Sequence, residues 1–453
     1  MTTRREFLLG GSVAATSLSL ASCAATPTSI PPGGRVVVIG AGFAGIGAAG
    51  RLQNAGYQVE LIEAGERIGG RALSVPIGDF PADLGANWLK VSNNELMPIA
   101  EELGLVSQRS NLRKSALMKD CAIEIRDASE LEAALEPALT GPYVQYQAAR
   151  MFGRRPKARS AQDLLAPVFA SDPTFECAGG RLLSGVYAAD LKDLSGDVLI
   201  GAGAEAGPSA DELIEPTVVG GMQALAEAVA EPLQPVFGEA AERIARTQSG
   251  VSVTTNKRTI TADAVIVTVS IGVLKRQGIV FEQGLPKRHN EVLEAMDMGS
   301  FAKLWIRYPE AIWSFETDVM GMCDTNDIHG IFDFSKSHGH PVILAYAAGD
   351  QGRVLESMSD QEAQALLHET LQTQLGIALP EPTDFAKNRW SEDPLFGGAY
   401  MYPNTKYRAG DNLRLRAPIA DRILLAGEAL ADDFGYVDSA WSDGRRAADL
   451  LIA

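Results

Sequence analysis

Residues 36–71 read "VVVIGAGFAGIGAAGRLQNAGYQVELIEAGERIGGR", and this stretch decides the fold. Val36–Ile39 is an uninterrupted apolar run, the pattern of a strand covered on both faces. Gly40, Gly42 and Gly45 follow as G-x-G-x-x-G. The first permits a tight turn, the second removes a Cβ where a pyrophosphate approaches the backbone, and the third lets helix and strand pack closely. The helix runs to about Asn54 and stops at Gly56. "YQVELIE" supplies a second strand ending in Glu63, an acid able to accept hydrogen bonds from both hydroxyls of a ribose. The helix N-terminus behind the turn offers free N–H groups and a positive dipole end to an anion. Together these features predict a dinucleotide site. The spacing leaves flavin and nicotinamide dinucleotides both open, while Glu63 disfavours NADP.

The residues after Glu63 narrow the choice. "EAGERIGGR" (63–71) resembles the second fingerprint of the FAD-containing amine oxidase family, which includes monoamine, polyamine and L-amino-acid oxidases. The similarity continues in order along the chain. It includes "ADLGANWL" (82–89), "VVGGMQALAEAVAEPL" (218–233), "ADAVIVTVSIGVLK" (262–275), "GSFAKLWIRY" (299–308), "RWSEDPLFGGAYMYP" (389–403) and "RILLAGEALADDFGYVDSAWSDGRRAADLL" (422–451). Alternating strands and helices predict α/β architecture. The resemblance implies an FAD-binding Rossmann-like domain of the GR2 type with a second, mixed α+β substrate-binding domain. The FAD-binding domain is expected from 35–110, 211–290 and 389–453, and the substrate-binding domain from 111–210 and 291–388.

The resemblance also assigns roles. It implies oxidation of an amine C–N bond to an imine by transfer of a hydride equivalent to flavin N5. Oxygen then regenerates the flavin with release of hydrogen peroxide, and hydrolysis gives an aldehyde or keto product. Gly40, Gly42, Gly45, Glu63, Ala64, Gly69, Gly70 and Arg71 would hold FAD, with Arg71 at a phosphate or the flavin edge. Gly85, Ala86, Asn87 and Trp88 would lie against the flavin, Trp390 would pack on it, and Gly427–Glu428 would meet the ribityl chain. Tyr436 and Val437 would present N–H groups to its pyrimidine edge. Lys303 corresponds to the family lysine that holds a water near N5; an ammonium buried there would have its pKa lowered. Tyr400 and Tyr436 match two aromatics that face each other before the flavin and can orient an amine. Ala399 stands where monoamine oxidases carry the cysteine bonded to FAD, so FAD is expected to be non-covalent. Lys90 in "ANWLKV" replaces a histidine frequent in polyamine oxidases; a cation there would repel a polyamine or pair with a substrate carboxylate. A flavin dehydrogenase serving a quinone or protein, an NAD-dependent reductase and a non-catalytic flavoprotein are the alternatives.

The formal net charge of −17 over 453 residues argues against nucleic acid as a partner. "TTRREFLLGGSVAATSLSLASCAA" (2–25) carries Arg4–Arg5 and then an uncharged run too short and too small-residue-rich for a membrane span. It matches a twin-arginine export signal, predicting use of that machinery and a periplasmic or outward-facing, membrane-anchored location. "LASC" (20–23) leaves lipidation of Cys23 and ordinary cleavage both open. Residues 26–34 form a Pro/Gly/Ser/Thr linker. Cys121, Cys177 and Cys323 are an odd number at wide spacing, read as no disulfide framework. The basic stretch "GRRPKARS" (153–160) reads as a solvated loop or helix end. "SHGHP" (337–341) offers too few ligands for a metal, and none is expected. Helical periodicity marks 94–105, 221–233 and 359–376; strands are expected at 250–255, 264–270, 302–308, 342–349 and 422–427.

Overall fold

The computed structural model describes residues 29–90, 94–111, 114–119, 122–127, 142, 145, 159–171, 173–202 and 214–453. The arginine pair, Cys23, Cys121 and residues 153–158 of the basic stretch lie outside the described residues.

Four parallel strands form the sheet beneath the glycine turn, in the order Gln58–Ile62, Arg35–Ile39, Ala264–Val267, Ile423–Leu425. Strand alternation divides their side chains between two cores. Val36, Val38, Ala264, Ile266 and Leu424 enter one core with the glycine-turn and C-terminal helices. Val37, Ile39, Val265, Val267, Ile423 and Leu425 enter the other. Burial on both faces explains why the first strand reads as continuous Val and Ile. The helices Phe43–Asn54 and Val437–Asp449 cross on the first face. A Cβ on Gly444 would lie 1.9 Å from the Ala44 carbonyl oxygen, so the crossing depends on glycine.

A second sheet has seven strands in the order Asp384–Lys387, Phe301–Arg307, Val342–Ala348, Gly330–Asp333, Val319–Met322, Lys114–Lys119, Ala122–Asp127. Its pairings are antiparallel except Val319–Met322 with Lys114–Lys119. The helix Asp360–Leu375 covers one face through Ala363, Leu367 and Leu371, spaced four residues apart. A capping box between Ser359 and Glu362 starts that helix, and Gly376 ends it in the left-handed conformation. Ala302, Leu304 and Ile306 face the same core. Period two therefore turns Phe301, Lys303 and Trp305 to the opposite face, where Trp305 packs with Ile77, Phe80, Ala82 and Leu84. That alternation positions the candidate chemistry.

The expected helices appear as Leu96–Glu102, Met222–Ala230 and Asp360–Leu375. The expected strand 264–270 ends at Val267, because side chains divert the backbone beyond it. The Thr268 hydroxyl donates to the Ile39 carbonyl at 2.7 Å, and Ser270 caps the helix Ile271–Lys275. The cysteine reading is corrected: Cys177 and Cys323 form a disulfide, their Cα atoms 5.8 Å apart across 146 residues of sequence. Chain spacing does not report spatial distance. The helix Pro173–Tyr187, carrying Cys177, lies along the strand Val319–Met322 that leads to Cys323.

Candidate active site

The glycine turn and the second fingerprint build one surface. Gly40 N–H donates to Ile62 O at 2.8 Å, and a Cβ on Gly45 would fall 1.8 Å from the Gly40 carbonyl oxygen. Glu63 accepts from the amides of Ala41 and Gly65, each at 2.7 Å, and Ala64 lies half-buried between these contacts. Gly69 N–H donates to Ala41 O at 2.9 Å, and Gly42 pairs with Gly69 as an isolated bridge. Gly70 lies against Gly42. Arg67 donates to the carbonyls of Ile68, Gly70 and Ala72 and so fixes this loop. Burial pushes its guanidinium below the ordinary arginine range, opposed by Glu63 and Asp393.

Arg71 continues the surface. Its Nη1 donates to Glu428 Oε1 at 2.9 Å and to the Ala399 carbonyl at 3.0 Å. Glu428 in turn accepts the Gly435 amide at 3.1 Å. Gly427 N–H donates to Asp443, a buried acid on the C-terminal helix held by Arg416 and Arg446. Ala86 N–H donates to Arg71 O at 3.1 Å, carrying the segment 85–88 past this arginine.

Lys303 lies at the end of that segment and is 4% exposed. Its Nζ donates to Gly85 O at 2.5 Å and Asp83 O at 3.2 Å, with Asn87 Oδ1 at 3.5 Å. The Trp88 ring centroid is 5.6 Å from Nζ. Trp305 and Trp390 donate their indole N–H groups to Asp83 O and Leu84 O, and so fix the carbonyls around the lysine. Asn388 accepts the Lys303 amide at 2.6 Å. Burial lowers the pKa of Lys303, with the Asp83 carboxylate opposing the shift. Desolvation outweighs attraction because the close partners are neutral carbonyls and an amide. Burial raises Asp83, although Ser74, Lys303 and the Met222 amide pull it down. Asp83 also accepts Met222 N–H at 2.8 Å, tying this pocket to the start of the helix Met222–Ala230.

Aromatic side chains form the adjoining wall. Tyr400 is half-buried, its hydroxyl donates to Gly185 O, and its ring is 6.3 Å from Phe301, which stacks on Tyr346 at 5.2 Å. Burial raises the Tyr400 phenol well above its usual range, with Tyr436, Tyr346 and Glu428 adding to the shift. Tyr436 is 37% exposed and precedes Val437, the first residue of the C-terminal helix. The ammonium of Lys90 sits 4.1 Å above the Tyr436 ring and is paired with Asp433. Tyr400 and Tyr436 thus flank Gly435, one half-buried and the other exposed. The structure brings the glycine turn, Arg71, Glu428, Lys303 and both tyrosines onto one continuous surface. The sequence reading missed Asp83, Arg67, Asn388 and Asp443. Asp83, Arg67 and Asp443 stood inside quoted motifs, but the reading gave none of these side chains a role.

Residues 43–452 match the family of flavin containing amine oxidoreductases. The chain belongs to this family. Polyamine oxidase 2 of Arabidopsis thaliana is 31% identical over 444 residues, covering 91% of this chain and 87% of that protein. Polyamine oxidase 4 of Oryza sativa subsp. japonica is 30% identical, covering 94% and 89%. Among solved structures, putrescine oxidase bound to putrescine matches with a TM-score of 0.78 and 20% identity, over 92% of this chain and 99% of that one. Cyclohexylamine oxidase from Brevibacterium oxydans IH-35A matches with the same TM-score and identity, over 93% and 99%. These structural likenesses show the amine-oxidase fold.

This amine oxidoreductase uses FAD and catalyses flavin-dependent amine oxidation. Its residues fit the cofactor. Among the described residues, nothing lies within 4 Å of a Cβ on Gly427, and the buried Trp88 indole N–H has no hydrogen-bond partner. The helices Phe43–Asn54 and Val437–Asp449 begin without side-chain caps, leaving backbone donors for an anion or an electron-rich edge. When bound, FAD supplies the two-electron acceptor for the C–N bond.

Proposed function

We propose that this chain is an exported oxidase that uses oxygen as acceptor and holds FAD without a covalent bond. The observation that carries the reading is Lys303, an enclosed lysine of lowered pKa beside the tyrosine wall. At Nζ it can hold and exchange a proton near neutrality, and hold a water against the reacting centre. Tyr400 and Tyr436 orient the amine through their ring faces. Arg71 and Glu428 fix the loop that carries Tyr436. Gly40, Gly42, Gly45, Glu63, Ala64, Gly69 and Gly70 would hold the dinucleotide, and Gly85–Trp88, Trp390, Gly427 and Val437 would meet the flavin. We assign 35–110, 211–290 and 389–453 to the FAD-binding domain and 111–210 and 291–388 to the substrate-binding domain. The parallel and seven-stranded sheets support that division.

The Arg4–Arg5 leader supports export through the twin-arginine machinery to the outer side of the cytoplasmic membrane, with Cys23 as a candidate lipid anchor. The Cys177–Cys323 disulfide supports the same location, because disulfides persist in oxidising compartments. A peroxide-coupled screen over monoamines, polyamines and amino acids tests the activity, with Lys303→Met as control. Peroxide in proportion to amine consumed is expected; flavin bleaching without peroxide would identify a dehydrogenase. Acid precipitation should release the yellow cofactor from Ala399-bearing protein, and colour retained in the pellet would overturn the non-covalent assignment. Cell fractionation with Arg4→Lys/Arg5→Lys should move the protein to the cytoplasm; an unchanged distribution would remove the export route.

A further inference from the structure

We propose that Lys90 is a tethered cation filling the subsite where the second ammonium of a diamine would bind, so that this cleft selects monoamines. The inference rests on the amine-oxidase reading above and names the substrate class for that site. The segment from Gly85 to Lys90 links the Lys303 pocket to the Tyr436 ring. Gly85 O receives the Lys303 ammonium, and five residues later the Lys90 ammonium lies over Tyr436. Lys90 is ion-paired with Asp433, and its charge also acts on the buried Asp438 in the first turn of the C-terminal helix. Its side chain is 23% exposed, so the long stem is packed and the ammonium is not sweeping through solvent.

One aromatic face and two carboxylates are the groups that receive an alkylammonium. Here the chain's own lysine already occupies them. A diamine entering with one nitrogen toward Lys303 would bring its other ammonium to a ring face and a carboxylate that Lys90 already holds, leaving that charge without a partner. An uncharged alkyl tail needs no such partner and can pack on the Phe301 and Tyr346 rings. A substrate carboxylate gains little from Lys90, because Asp433 holds that ammonium.

The test compares hexylamine with hexamethylenediamine, and butylamine with putrescine, in the full-length FAD-loaded enzyme. Phenylalanine and lysine serve as amino-acid probes. Wild type should favour each monoamine over its diamine by about tenfold or more in kcat/KM. Lys90→Met should shift the ratio toward the diamine by about tenfold or more, and Lys90→Arg should keep the wild-type ratio. Asp433→Asn added to Lys90→Met should reverse the gain, assigning it to the carboxylate. The flavin absorbance of each variant reports intact folding. An unchanged ratio in a flavin-loaded Lys90→Met overturns the proposal. So does a wild-type preference for either amino acid that Lys90→Met abolishes. Absence of turnover with every probe in wild type would instead defeat the amine-oxidase reading itself.

Discussion

Lys303 and Lys90 are the same residue type, met at the two ends of the segment 85–90 in opposite electrostatic settings. Lys303 has backbone carbonyls and an amide as its close partners, and the Asp83 carboxylate acts on it without accepting its hydrogen bond. Lys90 has a carboxylate partner and an aromatic face, near water. A cation solvated by neutral dipoles in a dry pocket gives up its proton readily. A cation paired with an acid at the rim acts as a fixed charge. The comparison separates the lysine proposed to handle a proton from the lysine proposed to set selectivity, although nothing in their identity distinguishes them.

The sharpest way to break this comparison is Lys303→Met. Turnover should fall on the order of a hundredfold or more, the range for a lost acid–base group, while the flavin spectrum persists. Peroxide-coupled kinetics check it, and a loss below about threefold would place the proton chemistry elsewhere. The next effect concerns the scaffold of the dry end. Cys177 and the Tyr400 acceptor Gly185 lie on the same helix, Pro173–Tyr187. Cys177→Ser/Cys323→Ser should cost about 2–4 kcal/mol of stability, read from denaturant or thermal unfolding.

Asp83→Asn sharpens the comparison through pH. The neutral amine of Lys303 is the form that accepts a proton, so this group contributes a limb of activity that rises with pH. Burial lowers its pKa and Asp83 raises it. Removing the acid's charge leaves burial unopposed, and the limb should move to lower pH. Asparagine retains the oxygen that accepts from Ser74 and Met222, so the fold is preserved. An unmoved limb would show that Asp83 does not govern Lys303. The smallest effect belongs to the rim: Asp433→Asn should change stability by less than about 1 kcal/mol, since an exposed ion pair is screened by water. A larger loss on thermal unfolding would mean that the rim is structural.

Some of this architecture was legible locally. Gly40, Gly45 and Glu63 could be placed because turn, close packing and strand-end acid are constraints within thirty residues of chain. The periodicity of 359–376 marked a helix for the same reason. Lys303 was legible through the motif around it, and strand alternation explains its direction once the helix-covered face is known. Asp83 was missed because its role depends on Met222 and Lys303, which other chain segments deliver. The disulfide was misread because 146 residues separate cysteines that the fold sets side by side.

The sequence by itself determined the dinucleotide turn, the order of its motifs, the amine-oxidase resemblance and the residue types available for chemistry. These follow from short-range backbone rules and ordered local patterns. Tertiary structure alone decided that one lysine is dry and the other is paired, that Arg71 meets Glu428, and that Cys177 meets Cys323. Charge state and partnership depend on desolvation and distance, and both are set by the packing of segments that are remote along the chain.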